Sequence, residues 1–136
     1  MGKLLITGGA GFIGSSLAKI THQEGWDVTI LDNLSTGLQS NANELENLGI
    51  KVIIGDIRDQ DLLHNTLKGF TAVVHLAAQV SVPASVKNPE ETMEINVKGT
   101  QNVIQACLEN NVRRLVIASS AAVYGETDNL PLKEED

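Results

Sequence analysis

The segment Thr7-Gly8-Gly9-Ala10-Gly11-Phe12-Ile13-Gly14 carries the most specific chemistry in this chain. It reads as Gly-x-Gly-x-x-Gly at Gly9, Gly11 and Gly14, and as Gly-x-x-Gly-x-x-Gly at Gly8, Gly11 and Gly14. Glycine is needed where a chain leaves a strand in a tight turn, lets its backbone approach a pyrophosphate, and packs the next helix close to a sheet. The N–H groups and dipole at the helix start then stabilise the anion. A glycine pattern alone is weak; here it follows an apolar run and opens a helical pattern, the context that supports a dinucleotide site over a mere turn. Asp32 stands 18 residues after Gly14, at the end of the second apolar run. An acid there accepts hydrogen bonds from ribose hydroxyls and repels a 2′-phosphate. No basic residue falls between Asn33 and Leu38. NAD is therefore expected rather than NADP, against the plainer reading of Asp32 as a turn-capping aspartate.

These residues require a particular frame. Apolar runs at Lys3–Thr7, Asp27–Asp32, Lys51–Gly55, Thr71–Leu76 and Arg114–Ser119 read as strands. Between them, Phe12–Glu24, Asn41–Leu48, Asp59–Lys68 and Glu90–Asn110 have helical spacing, several of them closed by glycine. Ala77–Pro89, with Pro83 and Pro89, reads as a loop, and 121–136 as polar and irregular. The alternation implies one α/β domain over residues 1–136. It would be a doubly wound parallel sheet of the Rossmann type, five strands in the order 3-2-1-4-5 with right-handed crossovers. In the long helix, Met93, Val97, Ile104 and Leu108 form one apolar stripe, and Ile95, Val103 and Ala106 widen it into a second. With no later helix to cover one of them, self-association through residues 90–110 is expected.

Composition removes other classes. The 136 residues carry 10 basic and 17 acidic side chains, a net charge of −7, and Arg113-Arg114 is the sole adjacent basic pair. This balance argues against nucleic acid as a partner. No apolar run approaches the roughly 18 residues of a membrane span, and the chain opens directly on a strand pattern rather than a signal peptide. The single Cys107 allows no internal disulfide and fits a reducing, cytoplasmic setting. It reads as a helix-packing residue rather than a nucleophile, and His75, ending a buried strand without a second ligand, as a core residue rather than a metal ligand. No metal site is expected.

Together, the glycine motif, Asp32-Asn33-Leu34-Ser35-Thr36-Gly37, Asp56-Ile57, His75-Leu76-Ala77-Ala78-Gln79 and Ser119-Ser120-Ala121-Ala122-Val123-Tyr124-Gly125 resemble the extended short-chain dehydrogenase/reductases. The likeness is greatest to nucleotide-sugar epimerases of the UDP-glucose 4-epimerase type, and it covers the whole chain in order. It implies that Gly8, Gly11 and Gly14 with the Phe12 and Ile13 backbone hold a pyrophosphate, and that residues 32–37 surround the adenosine ribose. Asp56 and Ile57 would meet the adenine, Leu76, Ala77, Ala78, Gln79 and Val80 would line the nicotinamide side, and Asn96 would steady the backbone behind the cofactor. Ser120 would hydrogen-bond the sugar hydroxyl that is oxidised, with Ser119 as the neighbouring candidate. Plainer readings are a helix N-cap for Asp56 (or Asp59), an exposed helical amide for Asn96, and a turn serine for Ser120.

The family's Tyr-x-x-x-Lys base motif has no counterpart. Tyr124 is the only tyrosine, and Asp128 stands four residues on. The expectation is the NAD-binding part of a nucleotide-sugar 4-epimerase, truncated before the catalytic helix and the substrate domain, binding NAD and turning over nothing alone. A UDP-sugar would be a partner of the complete enzyme. A dehydratase or decarboxylase relative, and a non-catalytic nucleotide-sensing module, stand as alternatives. A receiver-like flavodoxin fold is disfavoured, since strand one ends in Thr7-Gly8-Gly9 where acids would be needed.

Overall fold

A computed structural model describes residues 1–126 and 130–135. Five strands, β1 (Lys3–Thr7), β2 (Asp27–Asp32), β3 (Lys51–Ile54), β4 (Ala72–His75) and β5 (Arg114–Ile117), form one sheet in the order β3-β2-β1-β4-β5. Every neighbouring pair is parallel. Helices α1 (Phe12–Gln23), α2 (Gln39–Asn47) and α3 (Gln60–Thr66) connect the first four strands. The strand order reverses beside β1, which pairs with both β2 and β4.

Strand alternation divides the core into two layers. Leu4 and Ile6 of β1 and Val28 and Ile30 of β2 pack with Ala18, Ala42 and Leu45 of α1 and α2. Leu5, Leu31 and Val73 point the other way, against Leu63, Leu67, Val103, Ala106 and Cys107. Asp59 caps α3, its carboxylate accepting from Leu62 N–H at 2.9 Å; of the two aspartates considered for that role, this is the one in place.

The segment expected to be a loop after β4 contains a helix, α4 (Val82–Lys87). Ser81 caps it and Pro83 lies in its first turn, where a missing N–H costs nothing. Asn88 then caps α5 (Pro89–Met93), again with proline in the first turn. Both prolines therefore mark helix starts. The long helix continues through a π-helical segment, Glu94–Gly99, into α6 (Thr100–Glu109). Its Val103 and Ala106 are buried and Ile95 is half-buried, whereas Met93, Val97, Ile104 and Leu108 remain exposed. Of the two predicted stripes, one packs on the sheet layer and the other is bare. After β5, Ala121–Tyr124 forms a short 3-10 helix where irregular chain is expected.

Candidate cofactor-binding site

A cleft of about 1010 Å3 opens beyond the carboxyl ends of the strands, around the point where strand order reverses. Doubly wound sheets bind ligands at that position, because the loops on either side of it diverge.

The glycine corner forms its floor. Gly8 has φ +69°, and a Cβ there would come within 2.8 Å of the Ala77 backbone nitrogen, so the turn and the close approach both require glycine. A Cβ on Gly14 would collide with the Gly8 carbonyl oxygen, so α1 starts pressed against the loop. Gly11 is the N-cap of α1 and supplies no side-chain acceptor, and no acidic residue occupies the first turn. The N–H groups of that turn, which no intrahelical carbonyl reaches, thus face the cleft with their dipole intact. By contrast α3, α4 and α5 are capped by Asp59, Ser81 and Asn88.

Asp32 closes one side. Its carboxylate is buried and accepts from Ala10 N–H at 2.9 Å and from Leu34 N–H at 2.8 Å. It therefore ties the glycine loop to the β2–α2 loop while retaining acceptor capacity toward the cleft. Gly37 lies against it; a Cβ there would come within 2.8 Å of Asp32 Oδ1. Leu34 departs from expectation. With φ 57° it turns its side chain toward the core layer of α1 and α2, and it does not line the cleft.

Next to Asn33 the structure places Asp56, 23 positions away, together with its sequence neighbour Arg58. Arg58 forms a two-pronged pair with Asp56, Nε to Oδ1 at 2.9 Å and a terminal nitrogen to Oδ2 at 2.7 Å. Arg58 N–H and the Asn33 amide also donate to Asp56, at 2.8 and 2.9 Å. The Arg58 side-chain bonds hold the Asp56 carboxyl well below the usual carboxylate range, with the backbone and Asn33 bonds adding to them against partial burial. The four bonds use the carboxylate's main acceptor directions, so the expected acceptance from an adenine amino group must compete with them. They also pair Arg58 with a carboxylate, so its positive charge is offset beside Asn33.

At the opposite end, Asn96 grips the backbone of Gln79 twice. Its Oδ1 accepts from Gln79 N–H at 2.7 Å and its Nδ2 donates to the Gln79 carbonyl at 3.0 Å. The amide is thus engaged, not an idle helical one. Ser120 and Ser119 border this end of the cleft. Ser120 also caps the 3-10 helix, accepting from Ala122 N–H at 3.2 Å, so its turn role is real and its hydroxyl proton stays free to donate. Tyr124 ends that helix, and Asp128 lies outside the described residues.

The cleft collects Gly8, Gly11, Phe12, Ile13, Gly14, Asp32, Asn33, Ser35, Thr36, Gly37, Asp56, Ile57, Leu76 through Val80, Asn96 and Ser120 from the sequence-derived set. Leu31, Gly55, His75, Ile95, Thr100, Ile117, Ala118 and Val123 also border it. The strand-end residues among these follow from the fold, whereas Thr100 had no signal until the helix was seen beside β4. Among the described residues, no cluster of His, Cys, Asp or Glu could hold a metal ion. No helix of the described residues is long and apolar enough to cross a membrane.

A family model, the NAD dependent epimerase/dehydratase family, matches residues 4–136. The chain belongs to that family. It is 41% identical to the UDP-glucose 4-epimerase of Streptomyces lividans over 98% of this chain and 40% of that protein. Among solved structures, it matches UDP-glucose 4-epimerase from Brucella ovis in complex with NAD, at 37% identity and TM-score 0.88, covering 100% of this chain and 41% of that one. UDP-glucose-4-epimerase from Stenotrophomonas maltophila, with bound NAD and formylated UDP-arabinopyranose, matches at 33% identity and TM-score 0.91, over 98% and 41%. The family chain thus spans about two fifths of the length of these relatives.

Proposed function

We propose that residues 1–136 form the NAD-binding domain of a nucleotide-sugar 4-epimerase, of the UDP-glucose 4-epimerase type. The observation that carries this reading is the joint placement of an uncapped α1 N-terminus and the Asp32 carboxylate on one cleft at the strand-order reversal. The residues fit the cofactor. Gly8, Gly11 and Gly14 leave room for a pyrophosphate on the N–H groups of Phe12 and Ile13, and Asp32 faces the adenosine ribose. Ile57 supplies an apolar wall for adenine, and Leu76 through Val80 flank the nicotinamide. NAD would supply reversible hydride transfer to and from the sugar.

The protein's share in this part is orientation. Asn96 fixes the backbone of the 76–80 segment, and Ser120 presents a hydroxyl donor at the sugar end. With no Tyr-x-x-x-Lys in the sequence, the chain by itself binds NAD without epimerising a UDP-sugar. The bare stripe of Met93, Val97, Ile104 and Leu108 is proposed to pair with a second copy of the chain, and the buried lone thiol suits a reducing cytoplasm.

Calorimetric titration with NAD and with NADP tests the reading. Saturable binding with NAD at least tenfold tighter is expected, and tighter NADP binding or none of either sinks it. A monodisperse monomer in light scattering at high concentration would remove the pairing.

A further inference from the structure

His75 ends β4 with 3% of its surface exposed, and each ring nitrogen has one partner. Nδ1 lies 2.6 Å from Thr7 Oγ1, and Nε2 lies 2.9 Å from Thr100 Oγ1. Counting protons fixes the directions. Thr100 donates its hydroxyl proton to the Asn96 carbonyl at 2.7 Å, so it accepts from His75 Nε2–H. Thr7 Oγ1 accepts from Leu76 and Ala77 N–H at 3.2 and 3.3 Å, so its proton goes to Nδ1. The ring is the neutral Nε2–H tautomer, and burial, which pushes its pKa down to about 4, keeps it so. With both nitrogens engaged, it is not a proton carrier.

The bonds form one chain from the end of β1, through β4, to the helix that carries Asn96. It meets that helix at Thr100, the first residue of α6, whose hydroxyl reaches back to the Asn96 carbonyl in the π-helical segment Glu94–Gly99, a rare conformation whose hydrogen bonds span five residues and whose register differs from that of an α-helix. Asn96 sits inside this segment and holds Gln79 at both backbone atoms. A tie at Thr100 therefore bears directly on where the Asn96 clamp points.

We propose that His75 and Thr100 are positioning residues: the Thr7–His75–Thr100–Asn96 relay sets the Asn96 clamp and so shapes the 76–80 segment at the nicotinamide end of the cleft. The proposal rests on the reading of the cleft as an NAD site. Its reach is local, since nothing in the relay touches Asp32, Asp56 or the glycine corner except through Thr7.

The test uses Thr100→Val, which keeps the branched shape and removes the hydroxyl, with Thr100→Ser as the conservative rescue. Each protein is titrated with NAD and with ADP-ribose, which lacks the nicotinamide. Thr100→Val should bind NAD about tenfold more weakly, the scale of one buried hydrogen bond, with ADP-ribose affinity unchanged and Thr100→Ser close to the parent. Equal losses for both ligands, or no loss for NAD, overturn the proposal. Amide hydrogen exchange at Gln79 without ligand separates the two readings. If the parent binds no NAD, the cofactor reading fails; faster exchange in Thr100→Val but not Thr100→Ser still supports the relay, and unchanged exchange refutes it.

Discussion

Replacing His75 by glutamine should remove a specific part of the protein's pH dependence. Burial lowers the imidazole from its ordinary 6.5 to about 4 in the native state. As pH falls below 6.5 the unfolded chain takes up a proton that the native chain refuses. The stability this group contributes is therefore complete above about pH 6.5 and is lost on the way down to pH 4. Between pH 7 and pH 5 the unfolded imidazole becomes almost fully protonated while the native one stays almost fully neutral, a loss of about 2 kcal/mol, approaching about 3 kcal/mol near pH 4. The upper part of that window lies above the ordinary range of carboxylates. Urea unfolding of the parent and of His75→Gln at pH 7 and pH 5, at one protein concentration, gives the four stabilities required. The parent should lose about 2 kcal/mol more than the variant between the two pH values. Equal losses would refute the buried, neutral imidazole on which the hydrogen-bond directions depend.

Three further outcomes follow from the geometry. Gly14→Ala drives a methyl into the Gly8 carbonyl, so it should cost about 1–3 kcal/mol in thermal or urea unfolding and abolish NAD binding in calorimetry; unaltered binding would show that α1 need not sit so close. Asp32→Ala leaves Ala10 and Leu34 N–H without their acceptor, so stability should fall by about 1–3 kcal/mol and the ratio of NAD to NADP affinity should drop at least tenfold; an unchanged ratio would remove Asp32 from cofactor selection. Cys107 is buried and its thiol is pushed up to about 11 by desolvation, so iodoacetamide at pH 8 should label it slowly in the native protein and quickly in urea, and rapid native labelling would count against the packing of α6.

Much of the frame is local in origin and was legible in the chain. The glycine motif, the alternation of strands and helices, the helix-closing glycines and the Asp59 cap each depend on residues a few positions apart, and the sheet order expected from them is the one found. Family resemblance located most of the cleft lining, because it matches segments in order. Local signals misled where proline was concerned: Pro83 and Pro89 suggested a loop, yet each sits in a first helical turn, where its missing N–H and fixed φ are harmless.

What the sequence by itself determined is the periodicity, the turn chemistry and the acid at the end of strand two, because these follow from backbone sterics and short spacings. What only the tertiary structure decided is which polar groups meet. The backbone conformation of Leu34 sends a side chain placed in the ribose loop into the core. The path of the β3–α3 loop brings the Asp56 carboxylate, already held by its neighbour Arg58, onto the Asn33 amide 23 positions away. Strand pairing carries Thr7 to His75 across 68 positions, and a helix packed on the sheet brings Thr100 to the other ring nitrogen. Such contacts have no local signature, because their energy depends on distances between elements that exist only once the core has formed.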